Sequence, residues 1–191
     1  MNIGVVLTRC QPIHRGHTNV FKKVLAENDK LLIVLGSKNK FGSRRNPLSY
    51  EQRLNMLNKV LEDEFKMDRE RIQILGLCDW TMETYYEAAK EWGSFFYYNV
   101  VNAIGVKSFN LYYNDDRSIV ENWFIEDIAK RVFIRQFERD NISSTVVREA
   151  ILFGDSAKLR YMMCSTLYNR DDMAIINEAL IKAKNDDFIM E

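Results

Sequence analysis

The sequence predicts an α/β domain built on a five-stranded parallel sheet with helices on both faces. Three observations predict it. Apolar runs of strand length alternate with longer amphipathic segments. The strand-like runs are near-continuously apolar, as in strands covered on both faces. The chain has 191 residues, 47% hydrophobic and 28% charged, the size of one domain with a short appendage. It shows no repeat, low-complexity tract or Gly/Ser/Pro linker. The division expected is 1–153 for the main domain and 154–191 for a C-terminal helical extension packed on it.

Taken in order, residues 3–7 form the first strand, followed by the loop TRCQPIHRGH. A helix over 17–27 carries Val20, Phe21, Val24 and Leu25 on one face. Residues 31–35 are a second strand ended by Gly36, and 37–47 a polar, basic loop. Ser49 and Gln52 make a capping box for a helix with Leu54, Leu57, Leu61 and Phe65 at helical spacing. Residues 71–77 are a third strand. The stretch 81–103 is helical and aromatic-rich, with a break at Gly93. Strands follow at 108–113 and 131–137, with a helix over 118–128 between them. Helices fill the remainder, including an amphipathic one over 171–184. Right-handed crossovers put helices on both faces of such a sheet. Its ligands bind beyond the carboxyl ends of the strands, where strand order reverses, and the loop after the first strand is the natural candidate.

Composition narrows the function classes. Lys plus Arg is 27 and Asp plus Glu is 27, which argues against a protein that works by gripping nucleic acid. No apolar run reaches the ~18 residues of a membrane span, and the N-terminus lacks the features of a signal peptide. Cys10, Cys78 and Cys164 are far apart and form no CxxC pair. A reduced, cytoplasmic setting is expected.

Both histidines of the chain, His14 and His17, flank Arg15 and Gly16 where the first strand gives way to the first helix. Gly16 lets the backbone approach a ligand closely. A helix start presents free N–H groups and a partial positive charge, and no acidic residue precedes Glu27 to neutralise it. Such an end suits phosphate, and imidazole donors there stabilise charge that grows during phosphoryl or nucleotidyl transfer. Alone, a histidine near a helix end is an ordinary cap, and a zinc site through Cys10, His14 and His17 lacks a fourth ligand. Near the fifth strand, Ser143, Ser144 and Thr145 precede Val146, Val147 and Arg148. Three hydroxyls exceed what one cap needs, and no acid closes the helix end. Arg148 lies one turn on and can meet the same phosphate. Between Asp29 and Glu51 the only charged residues are Lys30, Lys38, Lys40, Arg44 and Arg45. That loop is either a solvated surface or a lid over a phosphorylated substrate.

The HxGH loop with the ISSTxxR segment resembles the HIGH-type nucleotidyltransferases. More narrowly, the sequence is similar to the archaeal-type nicotinamide-mononucleotide adenylyltransferases. Arg9 to His17 match that family's RxQPFHxGH, including Gln11 and Pro12. Gly36, Ser37, Asn46, Pro47, Leu48 and Arg53 match its GS…NPF…ER segment, and Ser143, Thr145 and Arg148 its SGTxxR. The resemblance runs from Met1 to about Leu152.

It implies a Rossmann-like nucleotidyltransferase fold. It also implies adenylyl transfer from ATP to nicotinamide or nicotinate mononucleotide, giving NAD or its acid form and pyrophosphate. By the same resemblance His14, His17 and Arg148 are catalytic. Thr8, Arg9, Gly16, Ser143, Ser144 and Thr145 join them in binding ATP. Ser37, Arg45, Asn46, Asp79, Trp80, Glu83 and Tyr86 face the acceptor, with Arg45 on its phosphate. Mg²⁺ is expected with ATP, held by phosphate and water without direct protein ligation. The departures cluster on the acceptor side. Tyr86, or Trp80 nearby, stands for a family tryptophan, and Glu83 for an asparagine that reads the carboxamide. Ser144 replaces a glycine, and Asn114 and Asp115 replace a GN pair. The alternatives are a sister enzyme with another phosphorylated acceptor and a nucleotide-binding sensor without turnover. The aromatic stretch 85–98 suits core, acceptor pocket or subunit interface, so a homo-oligomer stays open.

Overall fold

The computed structural model describes residues 1–79, 86–113, 120–138 and 141–183. The chain divides into two compact units, each interleaved in sequence. The first comprises residues 1–8, 21–36 and 70–139; the second comprises 9–20, 37–69 and 140–191.

The first unit holds the sheet. Strands β1 (Ile3–Thr8), β2 (Lys30–Leu35), β3 (Ile72–Gly76), β4 (Phe109–Tyr113) and β5 (Val132–Gln136) run parallel in the order β3-β2-β1-β4-β5. Five parallel strands are the architecture the apolar runs predict. The order turns at β1, so its carboxyl end, from which the chain continues to Arg9, is the switch point where ligands of such sheets gather.

Helices cover both faces of the sheet. Ile3, Val5, Leu32, Val34, Phe109 and Leu111 pack with Phe96, Tyr97 and Val100 of α3 (Tyr86–Ile104). Burying a side chain such as Phe96 contributes about 2–3 kcal/mol. On the other face, the later turns of α1 (Arg15–Glu27) bring Val24 against Gly4 of β1, and Glu27 and the following Asn28 to β4. Asn28 donates to the Tyr112 hydroxyl at 2.8 Å and accepts from Asn110 at 2.8 Å, while Tyr112 donates to Glu27 at 2.7 Å. Burial, then the Glu27 carboxylate, pushes the Tyr112 phenol above its ordinary range, so it stays a donor.

Two expectations for this unit need correcting. The helix over 81–103 is not broken at Gly93, because α3 runs on through it. Gly93 is there for close approach: a Cβ would lie 1.8 Å from the Trp123 carbonyl oxygen. The helix over 118–128 is not continuous either. Residues 120 and 121 are helical, Trp123 closes a turn onto the Val120 carbonyl, and a separate short helix, α4 (Glu126–Ala129), follows. The aromatic stretch proves to be largely core. Trp92 stacks on Phe96 with centroids 5.4 Å apart and meets the edge of Trp123 at 4.9 Å. Phe96 and Tyr97 are buried, while Tyr98 is exposed.

The second unit contains α2 (Tyr50–Glu64), α5 (Ser144–Leu152), α6 (Ser156–Met162) and α7 (Arg170–Lys182). The capping box of α2 is present: Ser49 Oγ accepts from Gln52 N–H, and Gln52 Oε1 accepts from Ser49 N–H at 2.9 Å. Its buried stripe is Arg53, Met56, Leu57, Val60 and Leu61, turned slightly from the Leu54-centred face that spacing suggests. Lys59 reaches the buried carboxylate of Asp172 on α7 at 2.7 Å. Asn169 caps α7 by accepting from the N–H groups of Asp171 and Asp172. Among the described residues, no helix is long and apolar enough to cross a membrane.

Candidate functional site

The three segments that carry the motifs, 9–20, 37–50 and 141–148, all lie in the second unit. They are tied together through backbone carbonyls of the 9–20 segment. Arg53 Nη1 donates to Arg9 O at 2.8 Å, Arg148 Nη1 to Gln11 O at 2.9 Å, and Ser144 Oγ to Pro12 O at 3.3 Å. Gln11 is itself buried, and its amide pairs in both directions with Leu48. Nε2 donates to Leu48 O at 3.0 Å, and Oε1 accepts from Leu48 N–H at 2.9 Å. The Gln11–Pro12 peptide is cis.

α1 begins at Arg15, two residues earlier than the apolar spacing suggests, so Gly16 and His17 lie in its first turn. His14 is the capping position: its carbonyl accepts from His17 N–H at 2.8 Å. In return, His17 Nδ1 accepts from His14 N–H at 3.2 Å. This is the reciprocal half of a capping box with imidazole in place of Glu or Gln. An Nδ1 that accepts puts the neutral ring's proton on Nε2, so His17 is preset as an Nε2–H donor. The two imidazoles lie against each other, tilted, with centroids 3.9 Å apart and planes inclined by 39°.

Gly16 also has a packing reason to lack a side chain. A Cβ there would stand 3.0 Å from His14 Cε1 and 3.2 Å from Ile142 O. A side chain at Gly16 would therefore meet the His14 ring and the chain entering α5. That close approach also sets the starts of α1 and α5 side by side. Neither helix carries an acid in its first turn. Two positive helix ends and Arg148 therefore share one neighbourhood, an arrangement suited to a polyphosphate.

The hydroxyls of the third segment divide their work. Ser143 Oγ caps α5 by accepting from Val146 N–H at 3.3 Å. Ser144 ties Pro12. Thr145 Oγ1 accepts from Arg148 Nη2 at 3.3 Å, so the arginine's fork is oriented by Thr145 and Gln11 together.

In the second segment, Ser37, Ser43, Asn46 and Leu48 are buried, while Lys38, Arg44 and Arg45 are exposed. Ser43 Oγ accepts from Asn46 N–H at 3.1 Å, and Ser43 N–H donates to Asn46 O at 3.3 Å. The loop is thus pinned at both ends and folded on itself, with its cations outward. Lys38 Nζ sits 5.0 Å from the Tyr50 ring centroid.

Of the other predicted site residues, Thr8 ends β1, and Asp79 follows β3 in the first unit. Tyr86 opens α3. Trp80, Glu83, Asn114 and Asp115 lie outside the described residues. Cys10 and Cys164 are buried and Cys78 is exposed. Burial, reinforced by Glu64, pushes the Cys164 thiol far above its ordinary range. Sequence reasoning gave Gln11 and Arg53 no role. The available signal for Arg53 was a charge on the apolar stripe of α2. Among the described residues, no group of three or more His, Cys, Asp or Glu is placed to hold a metal ion.

Comparison with known proteins follows the same line. A family model described as cytidylyltransferase-like matches residues 6–150. A nicotinamide-nucleotide adenylyltransferase of Saccharolobus solfataricus is 37% identical over 79 residues, 41% of this chain and 45% of that one. Its counterpart in Pyrococcus furiosus is 24% identical over 155 residues, 81% of this chain and 76% of that one. A Francisella tularensis bifunctional NMN adenylyltransferase/ADP ribose pyrophosphatase, solved with AMP and a Mn ion, superposes with TM-score 0.72 at 20% identity. That superposition covers 94% of this chain and 52% of the other. The chain therefore spans about half the length of the first relative and of this structure.

Proposed function

Because the chain belongs to the cytidylyltransferase-like family, we propose that it transfers the adenylyl group of ATP to a pyridine mononucleotide. The acceptor is nicotinamide mononucleotide or its acid form, and the products are the dinucleotide and pyrophosphate. Relatives of that name and the phosphate-ready loops both support the reading. The observation that carries it is the pairing of two acid-free helix starts around the His14–His17 stack and Arg148.

An acceptor phosphate oxygen attacks the α-phosphorus in line. The new P–O bond forms as the bond to the β-phosphate oxygen breaks, and pyrophosphate carries the charge away. Such chemistry asks mainly for positioning and charge stabilisation. His17 Nε2–H and the His14 ring face the triphosphate and donate to oxygens where charge grows. Arg148, oriented by Gln11 O and Thr145, holds the leaving pyrophosphate with Ser143. Arg9 lies against the same phosphates. Ser37, Asn46 and Arg45 bind the acceptor, Arg45 through its phosphate. The roles of Thr8, Asp79, Trp80, Glu83 and Tyr86 rest on the motif resemblance alone. The donor set of the loops, imidazole, guanidinium, hydroxyl and backbone N–H, fits phosphate oxygens and forms no carboxylate cage. A divalent ion, Mg²⁺ in this reading, enters on the triphosphate as part of the substrate and neutralises its charge. The reaction belongs in the cytoplasm, where both nucleotides are found.

Pyrophosphate release is the test, with ATP and Mg²⁺ against nicotinamide mononucleotide, nicotinate mononucleotide, FMN and phosphopantetheine. Turnover with a pyridine mononucleotide is expected. Turnover only with another acceptor refutes the proposed substrate and keeps the chemistry. ATP binding with no turnover on the panel refutes the reading.

A further inference from the structure

We propose that Arg53 is a positioning residue that sets the backbone of both substrate loops through one buried guanidinium. Affinity for both substrates then depends on it. The proposal rests on the adenylyl-transfer reading for the identity of the substrates.

Arg53 has none of its surface exposed. It lies on the inward stripe of α2 with Met56, Leu57, Val60 and Leu61. Helix packing alone gives no reason for a charge there, since an aliphatic side chain fills such a stripe at lower desolvation cost. What the guanidinium supplies is geometry. Its three nitrogens donate to three carbonyls: Nη1 to Arg9 O at 2.8 Å, Nη2 to Ser37 O at 2.9 Å, and Nε to Ser49 O at 3.3 Å.

Two of those carbonyls stand at unusual places. Among the described residues, the only non-glycine residues in the left-handed region are Cys10, with φ 49°, and Ser37, with φ 50°. Arg9 O belongs to the peptide that enters Cys10, and Ser37 O to Ser37 itself. Arg53 thus grips the peptide of each strained turn. Left-handed backbone is unfavourable for residues with a Cβ and persists only where its surroundings enforce it. One rigid planar fork also fixes the spacing between the two turns. One turn begins the loop that ends in His14, and the other begins the loop that carries Arg45 and Asn46. A lysine keeps the charge, but its ammonium is a single point on a flexible stem and does not span two loops as a fork does.

Arg53→Lys is the test, with Lys59→Met as control. Lys59 lies on the same helix, and its loss takes the cation from the buried Asp172 carboxylate, so the control is destabilised without touching either loop. ATP dissociation is read by displacement of a fluorescent ATP analogue, and the acceptor KM by pyrophosphate release. Arg53→Lys is expected to weaken both about tenfold or more, the scale of one lost charge-assisted hydrogen bond. Lys59→Met, at a matched fraction folded, is expected to leave both unchanged. Adding Cys10→Gly supplies a residue that takes φ near +50° unaided. It is expected to restore ATP affinity while the acceptor KM stays raised, a one-sided rescue that a merely structural role would not give. Should Arg53→Lys fail to fold, Arg53→Ala with sub-denaturing guanidinium reads the same point. Guanidinium restores ATP affinity, and methylammonium at the same concentration does not. Unchanged affinities in folded Arg53→Lys, an equal effect of Lys59→Met, or equal rescue by both cations overturns the proposal. A wild-type chain that binds ATP but turns over no pyridine mononucleotide refutes the substrate reading, while the ATP measurements still decide Arg53.

Discussion

Replacing His17 separates its two jobs. Its Nδ1 accepts from His14 N–H and so helps to cap α1, while its Nε2–H is the proposed donor to the triphosphate. His17→Ala removes both. Loss of a capping interaction costs about 0.5–2 kcal/mol of stability. Loss of one transition-state donor lowers kcat by about 10²–10³. His17→Gln restores only the first, because Gln at this position can accept from the capping N–H. Gln52 does so at the start of α2, taking Ser49 N–H at 2.9 Å. With its amide oxygen committed there, the glutamine side chain is short of the place where Nε2 donates. Urea denaturation should therefore put His17→Gln within about 0.5 kcal/mol of wild type and His17→Ala below it. Pyrophosphate release should leave both well under wild type, His17→Gln by at least about tenfold. If His17→Gln recovers wild-type turnover together with stability, the imidazole is a cap and the catalytic assignment is wrong.

Gly93→Ala gains about 1 kcal/mol of helix propensity. It also drives a methyl into the Trp123 carbonyl, whose oxygen stands 1.8 Å from the Cβ position. Overpacking of that size costs about 1–3 kcal/mol or more, so a lower urea midpoint is expected, and an unchanged or higher one contradicts the packing argument. Arg45→Ala should raise the KM for the mononucleotide more than that for ATP, and equal changes would remove Arg45 from the acceptor's phosphate. Thiol labelling of the native chain at mildly alkaline pH should modify Cys78 quickly and leave buried Cys10 and Cys164 unmodified until urea is added. The Cys164 thiol, pushed up by burial, has almost no thiolate to react there, so rapid native labelling at Cys164 would show the site to be open.

Much of this was legible in the sequence because the signals are local. The five strands announce themselves as continuous apolar runs, and Ser49 with Gln52 spells its cap within four residues. The HRGH and ISST segments point to helix starts, and helix starts are found there. What could not be read depends on partners far along the chain. Gln11 meets Leu48 across 37 residues, and Arg148 meets Gln11 across 137. Gly93 reads as a helix breaker until Trp123 is placed against it. The packing of Gly16 against the His14 ring and Ile142 O likewise shows only once residues 126 apart are brought together. Arg53 is a motif match without a role until its stripe is seen to face inward.

The two-way pairing of Gln11 with Leu48 has a consequence for how this chain can change. A side-chain amide there stands in for a length of partner strand, and with Arg53 on Ser37 it fastens the second loop at both ends. Between the fastenings, residues 38–42 are largely exposed, and Gly42 has no atom within 4 Å of its Cβ position. Lengthening such a tip is cheap, since doubling a loop adds only about 0.6 kcal/mol of closure entropy. The tip is a socket for grafting: new sequence can be set into it while the anchors at Gln11, Leu48, Ser37 and Arg53 stay as they are.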